Sequence, residues 1–116
     1  MHNIKDLPIT PTGYRVLIKP IELKEQSQGG VFLPNDYLDK EEMAHMIGQV
    51  VETGPDAYGD EGRFPSGPWC QLNDWIVFAK YSGKTFEYEG VEYRLLNDDQ
   101  VLAVVHGDPH QLKRAY

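Results

Sequence analysis

The chain has 116 residues, 41% hydrophobic and 25% charged, a balance that fits one globular domain able to bury a real core. A formal net charge of -7 and a pI near 4.9 argue against nucleic acid and anionic membranes as partners, because binding phosphates needs clustered Lys and Arg. No apolar stretch approaches the roughly 20 residues of a membrane span, Met1-His2-Asn3-Ile4-Lys5-Asp6 lacks the apolar core of a secretory signal, and a single cysteine, Cys70, allows no intrachain disulfide; together these point to a reducing cytoplasm.

Tyr14 to Pro20 is expected to be a strand, with Tyr14, Val16 and Ile18 on one face and Leu17 on the other. After it comes the most informative stretch of the chain. Lys24-Glu25-Gln26-Ser27-Gln28 is polar and ends in Gly29-Gly30; then follow Val31-Phe32-Leu33, closed by Pro34. The glycines raise the entropy of the free backbone, and Pro34 biases Leu33 towards an extended form. Two readings stand for the tripeptide: an edge strand after a loop, or a hydrophobic bait on a flexible tether that orders only in a partner's groove.

Asn35 to Met46 is expected to hold one short helix, with Leu38, Met43 and Met46 as an apolar stripe packed on the core. Ile47 to Thr53 reads as the next strand, ended by Gly54-Pro55. Residues 56–72 are rich in Gly, Pro and charge and should form no regular element, with Phe64 and Trp69 pinning them at points. Trp75 to Ala79 reads as a strand buried on both faces. Thr85 to Tyr88 and Val91 to Leu96 form a hairpin turning at Glu89-Gly90. Val101 to Val105 is a last core strand, and the polar tail from Gly107 to Tyr116 is expected to fray. Short strands at this spacing indicate an all-β barrel or sandwich within a single domain, 1–116.

The residues offer no catalytic constellation. His106 and His110 are four apart, but Gly107 and Pro109 between them argue against a helix that would aim both at a metal. No Gly-rich loop opens a helix after a strand, so a phosphate cradle is not indicated. Asp98-Asp99 could be a catalytic carboxylate pair, but adjacent residues do not converge on one substrate atom, and a solvated turn is the expectation. Cys70, beside Trp69 and without a basic neighbour, reads as a packed thiol.

Several blocks, in order, resemble the GroES-type co-chaperonins of the chaperonin-10 family, from about Ile9 to Val105. They are Gly13-Tyr14-Arg15-Val16-Leu17-Ile18-Lys19-Pro20, Gly29-Gly30-Val31-Phe32-Leu33-Pro34, Gly48-Gln49-Val50-Val51-Glu52-Thr53-Gly54-Pro55, Asn73-Asp74-Trp75-Ile76-Val77-Phe78-Ala79-Lys80-Tyr81-Ser82-Gly83, Glu92-Tyr93-Arg94-Leu95-Leu96 and Val101-Leu102-Ala103-Val104-Val105. The resemblance implies an irregular β-barrel with a long mobile loop, 22–34, and a Gly/Pro-rich excursion, 56–72, in the roof region. It implies a heptameric ring that caps a GroEL-type chaperonin in a nucleotide-dependent way and closes a chamber around unfolded client proteins. ATP would be bound and hydrolysed by that partner, so this chain needs no cofactor or metal and is no enzyme.

On that resemblance Gly29, Gly30, Val31, Phe32 and Leu33 contact the chaperonin. Ile9, Val104 and Val105 lie at the seam between subunits. Tyr81, where a strand ends, faces the chamber or else caps the core. The chain departs from the family in four places. Asn73 stands where Gly is usual, Phe32 is bulkier than the usual β-branched residue, the stretch between Pro34 and Gly48 is long, and Arg63 to Cys70 does not look like a roof hairpin. The last two features resemble co-chaperonins encoded by bacteriophages, which would place the chain in a host bacterial cytoplasm. Two other classes stay open: a small β-barrel that binds a peptide or protein without forming a ring, and, more weakly, an enzyme domain built on the barrel core of zinc-dependent alcohol dehydrogenases.

Overall fold

A computed structural model describes residues 7–22 and 34–115, apart from the side chains of 34–37. The residues 23–33, which hold most of the loop expected at 22–34 and all of Gly29 to Leu33, lie outside that description. Strands β1 (Arg15–Pro20), β2 (Ile47–Thr53), β3 (Trp75–Phe78), β4 (Lys84–Tyr88), β5 (Val91–Asn97) and β6 (Val101–Val105) form one six-stranded sheet in the order β4-β5-β1-β2-β3-β6. Every neighbouring pair is antiparallel. Among the described residues no ladder joins β4 to β6, so the pairing itself leaves the sheet open.

The strands form where β-branched and aromatic residues gather between Gly and Pro. The β4–β5 turn is set by Glu89 and Gly90, with φ of 49° and 82°, the two left-handed residues of a tight hairpin turn. Strand β1 is central and more buried than alternation predicts. Val16, Leu17 and Ile18 are all fully buried, because a bulge between Leu17 and Ile18 interrupts the register with β2 and both faces of the strand are covered. Tyr14, placed with them from the sequence, is exposed.

The fold is mostly β, not all-β. Pro34 opens an 11-residue helix, α1 (Pro34–Ala44). Its missing N–H and fixed φ suit the first helical position, and Leu38, Lys40, Glu41, Glu42, Met43 and Ala44 are good helix formers. The expected apolar stripe does not reach the core: Leu38 is 56% exposed and Met43 and Met46 are half-buried. Strand β6 is not a core strand throughout either. It lies at the sheet edge, and Leu102 is 65% exposed. The tail does not fray as expected. Pro109 is buried in a short 3-10 turn, Pro109–Gln111, and the Arg114 N–H donates to the Asp39 carbonyl at 3.0 Å.

The main core cluster holds Val16, Ile18, Val50, Ile76, Phe78, Leu96 and Val101, joined by Tyr58, Phe64 and Cys70 from the excursion. The excursion therefore folds back onto the sheet. Phe64 meets Tyr58 edge-to-face at 4.9 Å and Trp69 at 5.0 Å; Trp69 itself is half-exposed. The Asp98-Asp99 turn fastens it. Asp98 is not solvated: it is 1% exposed and accepts the Tyr58 N–H at 2.9 Å. Arg63 donates to Asp99 at 2.5 Å and lies 4.0 Å from Asp98.

Asn73 adopts a φ of 75°, in the left-handed region that Gly favours and that Asn tolerates best among larger residues, so the turn before Asp74 keeps its course despite the exchange. Gly83 is stricter. At φ 73° a Cβ would collide with the Leu95 carbonyl and come 2.8 Å from Leu96 Cδ2. Gly83→Ala should cost about 2–3 kcal/mol in urea unfolding, whereas Asn73→Gly should stay within about 1 kcal/mol of the parent. A Gly83→Ala chain with an unchanged midpoint would contradict this account of the turn.

Cys70 is buried, its Sγ 3.5 Å from the Tyr58 hydroxyl. Burial pushes the thiol up, the Asp74 carboxylate adds to this, and the bond to Tyr58 partly offsets it. Burial likewise pushes the Tyr58 hydroxyl up, helped by Cys70 and then by Asp98 and Asp99. Both groups keep protons in the fold that the unfolded chain releases from about pH 8.5 for Cys and about pH 10 for Tyr. Stability should thus be full below about pH 8.5 and fall as the pH rises. Cys70→Ala should flatten the first part of that fall in urea titrations between pH 7 and 10; a parent chain with no alkaline loss refutes it.

Candidate functional site

The segment 23–33 lies between two described flanks, Ile21-Glu22 and α1. Ile21 is buried, and its N–H donates to the Ile47 carbonyl at 3.0 Å, which ties the outgoing chain to β2. The returning chain enters α1, whose end is closed by Met46 N–H donating to the Met43 carbonyl at 2.8 Å before β2 begins. Pro20 and Ile21 from the outgoing root and Glu41, Ala44 and His45 from the C-terminal end of α1 line one cavity of about 200 Å³. The outgoing root therefore lies against the C-terminal end of α1, about 10–15 Å along the helix from Pro34, where the chain is described again.

The turn that carries Tyr81 lies at the same end of the sheet. The Phe78 N–H donates to the Met46 carbonyl at 2.9 Å, and Lys80 Nζ lies 3.7 Å from Glu42 Oε2 of α1. Tyr81 is 89% exposed, with Lys80 Nζ 5.7 Å from its ring centre, so it does not cap the core. The turn is braced from below. The Arg94 Nη1 donates to the Lys80 carbonyl at 3.0 Å and to the Ser82 carbonyl at 2.6 Å, while its guanidinium lies over Phe78 at 4.8 Å. Burial lowers the Arg94 guanidinium and Glu92 works against that; an arginine remains a cation in any case. Ser82 Oγ adds a bond to the Ala79 carbonyl at 2.6 Å. An exposed aromatic ring on so well-bonded a turn is presented outward at low conformational cost.

The candidate seam residues lie elsewhere. Val105 pairs with Trp75, at the opposite end of β3 from Phe78, and Val104 pairs with Ile76. Both are half-buried. Ile9 is half-buried in the segment 7–14, which joins no ladder among the described residues. Sequence reasoning missed Leu102, the most exposed aliphatic side chain of the described residues, on the free edge strand. Its signal was present: unbroken apolarity in Val101-Leu102-Ala103-Val104-Val105 was read as burial within one chain, although an edge strand covered by a second copy has the same pattern. Also missed were Arg94 and the Glu42–Lys80 pair, which no local spacing reveals.

The structure thus brings together the outgoing root at Ile21, the C-terminal end of α1 and the Tyr81 turn at one end of the sheet and sets the excursion and Val105 at the other. The family model for the Chaperonin 10 Kd subunit matches residues 8–105 of this chain. The match runs from the segment before β1 to the end of β6, so it takes in all six strands and the loop between β1 and α1.

Proposed function

The chain belongs to the Chaperonin 10 Kd subunit family, non-enzymatic co-chaperonins that act with a GroEL-type chaperonin, and we propose that it closes the chamber of such a chaperonin in a nucleotide-dependent way. The observation that carries this reading is the family match over residues 8–105, and the outgoing root at Ile21 and the outward-facing Tyr81 at one end of the sheet fit it. Gly29 and Gly30 let the chain turn into an apolar groove on the chaperonin, and Val31, Phe32 and Leu33 fill it. ATP is bound and hydrolysed by the chaperonin. The open sheet is the wall of an irregular barrel, and the whole chain works as one domain in a heptameric ring. The bulge in β1 and the returning excursion support that curvature. Helix α1 and the fold-back of 56–72 support a bacteriophage-encoded member acting in the host cytoplasm.

Ordering about ten loop residues costs roughly 1–2 kcal/mol each in backbone entropy. Each large apolar side chain returns only about 1.5–3 kcal/mol on burial. One loop therefore binds weakly, and a ring of loops binds through avidity. Phe32→Asp should leave the thermal midpoint of the free protein unchanged while abolishing co-elution with a bacterial chaperonin in ATP or ADP. Unfolding by this substitution would show that the tripeptide is a structural edge strand instead. In the same assay Tyr81→Ala should preserve capture and change refolding yields for some clients more than others; equal yields across clients would remove Tyr81 from the chamber wall.

The ring seam runs along the free edge of β6, with Ile9, Val104 and Val105 as its contacts and Leu102 as its largest apolar contribution. Leu102→Asp replaces an exposed side chain, so the fold should lose no more than about 0.5 kcal/mol. Sedimentation velocity should then show monomers at concentrations where the parent chain is a ring. A ring that persists places the seam on another surface.

A further inference from the structure

We propose that the C-terminal segment and Lys80 are struts that hold helix α1, and so position the root from which the chaperonin-binding tripeptide projects. Helix α1 has little reason to hold on its own. Its 11 residues fall short of the roughly 12–15 at which isolated helices become even marginal in water. Its last turn carries no basic residue to complement the helix dipole. Among its described side chains Leu38 points largely into solvent and Met43 and Ala44 are only half-buried, while Asp39 is buried.

Two long-range tethers supplement that packing. In mid-helix, the Asp39 carbonyl accepts the Arg114 N–H at 3.0 Å, and Arg114 lines a cavity of about 300 Å³ with Leu38, Asp39 and Glu42. In the last turn, Glu42 faces Lys80 Nζ at 3.7 Å. The tail is itself fixed to the sheet, as a strut must be. Pro109 is buried, the Asp108 carboxylate accepts the His110 N–H at 2.9 Å, and the His110 ring meets Trp75 of β3 at 6.2 Å. Lys80 belongs to the turn braced by Arg94. Both tethers thus run from rigid parts of the sheet to the helix whose first residue, Pro34, directly follows Leu33. A fixed root confines the tripeptide to a smaller volume before capture, which lowers the entropy lost on binding. Because every subunit of a ring carries the same root, a small loss per loop multiplies across the ring.

This inference rests on the tripeptide being the chaperonin contact, and the experiment keeps the two apart. The full-length chain is compared with Glu42→Lys, Lys80→Glu, the double exchange, and a chain ending at Gly107, which retains all of β6. Amide hydrogen exchange is read for residues 38–44, ring formation by sedimentation, and affinity for a bacterial chaperonin in ADP. Each single exchange should speed helix exchange and weaken capture about two- to fivefold with the ring intact, and the truncation should do at least as much. The double exchange should restore most of both. Unchanged helix exchange overturns the proposal, and so does faster exchange with unchanged capture or a double exchange that rescues neither. Phe32→Asp, run alongside, leaves both tethers in place; if it still captures the chaperonin, the reading of the tripeptide falls, while helix exchange still reports on the struts.

Discussion

The buried carboxylate of Asp98 is the interaction on which the rest of the core depends. It joins three parts of the chain that are far apart in sequence. Its own N–H donates to the Tyr14 carbonyl at 3.1 Å, and its Oδ2 accepts the Tyr58 N–H across 40 positions. Arg63 approaches its other oxygen, Oδ1, at 4.0 Å, which has no hydrogen bond among the described residues. Burying a carboxylate costs several kcal/mol unless it is paired and hydrogen-bonded. Tyr58 sits at φ 60°, a conformation a bulky residue holds only where its surroundings impose it. Both are costs, and the hydrogen bond between the two residues offsets part of each: it solvates the carboxylate and holds the Tyr58 backbone at that φ. That backbone delivers the Tyr58 ring to Phe64 and its hydroxyl to Cys70, and these side chains complete the face formed by Val16, Ile18, Val50 and Ile76.

The two ends of the sheet are thus built on different principles. At the excursion end, order comes from buried contacts between distant segments. At the other end Ile21, Ile47 and Phe78 are buried too, but the Tyr81 turn and α1 are held by polar contacts: Arg94 under the turn, the exposed pair Glu42–Lys80, and the Arg114 N–H on the carbonyl of buried Asp39. Exposed ion pairs contribute little, typically about 0–1 kcal/mol. An end held in this way can open locally at a lower cost than the core, as surfaces that meet partners commonly do. The polar brace also leaves Tyr81 and Leu38 facing outward, where a hydrophobic brace would have buried them.

Much of this fold was legible along the chain. Strand β2 and the turn at Glu89-Gly90 follow from local alternation and turn chemistry, which act between neighbours. Asn73 was legible only as a departure at a turn; its left-handed φ of 75° came with the structure. What escaped were features decided by distant partners. Asp98-Asp99 reads as a solvated turn until Tyr58 is placed against it. The apolar residues of α1 read as core because hydrophobic spacing does not say whether a surface awaits them. The tail reads as frayed because Pro109 finds its pocket only through the tertiary fold. Of the candidate site, the motif alone marked Gly29 to Leu33; the roots that position them became visible only in three dimensions.

The free edge of β6 follows the same logic one level higher. A sheet of order β4-β5-β1-β2-β3-β6 has two edges, and only β6 carries unbroken apolarity. Strand β4 is mostly exposed and bears Lys84, Thr85 and Glu87, the polar side chains that discourage pairing with other chains. Strand β6 has Leu102 in solvent and no charge along its length. An exposed apolar edge invites aggregation unless it is matched to a particular partner, and closed symmetry lets identical copies match it on one another without leaving a free end. The contrast between the two edges therefore marks β6, rather than β4, as the edge suited to meeting another chain. Continuous apolarity misleads when one chain is read alone, because it does not say whether a strand is covered by its own fold: β6 lies at a sheet edge with Leu102 65% exposed.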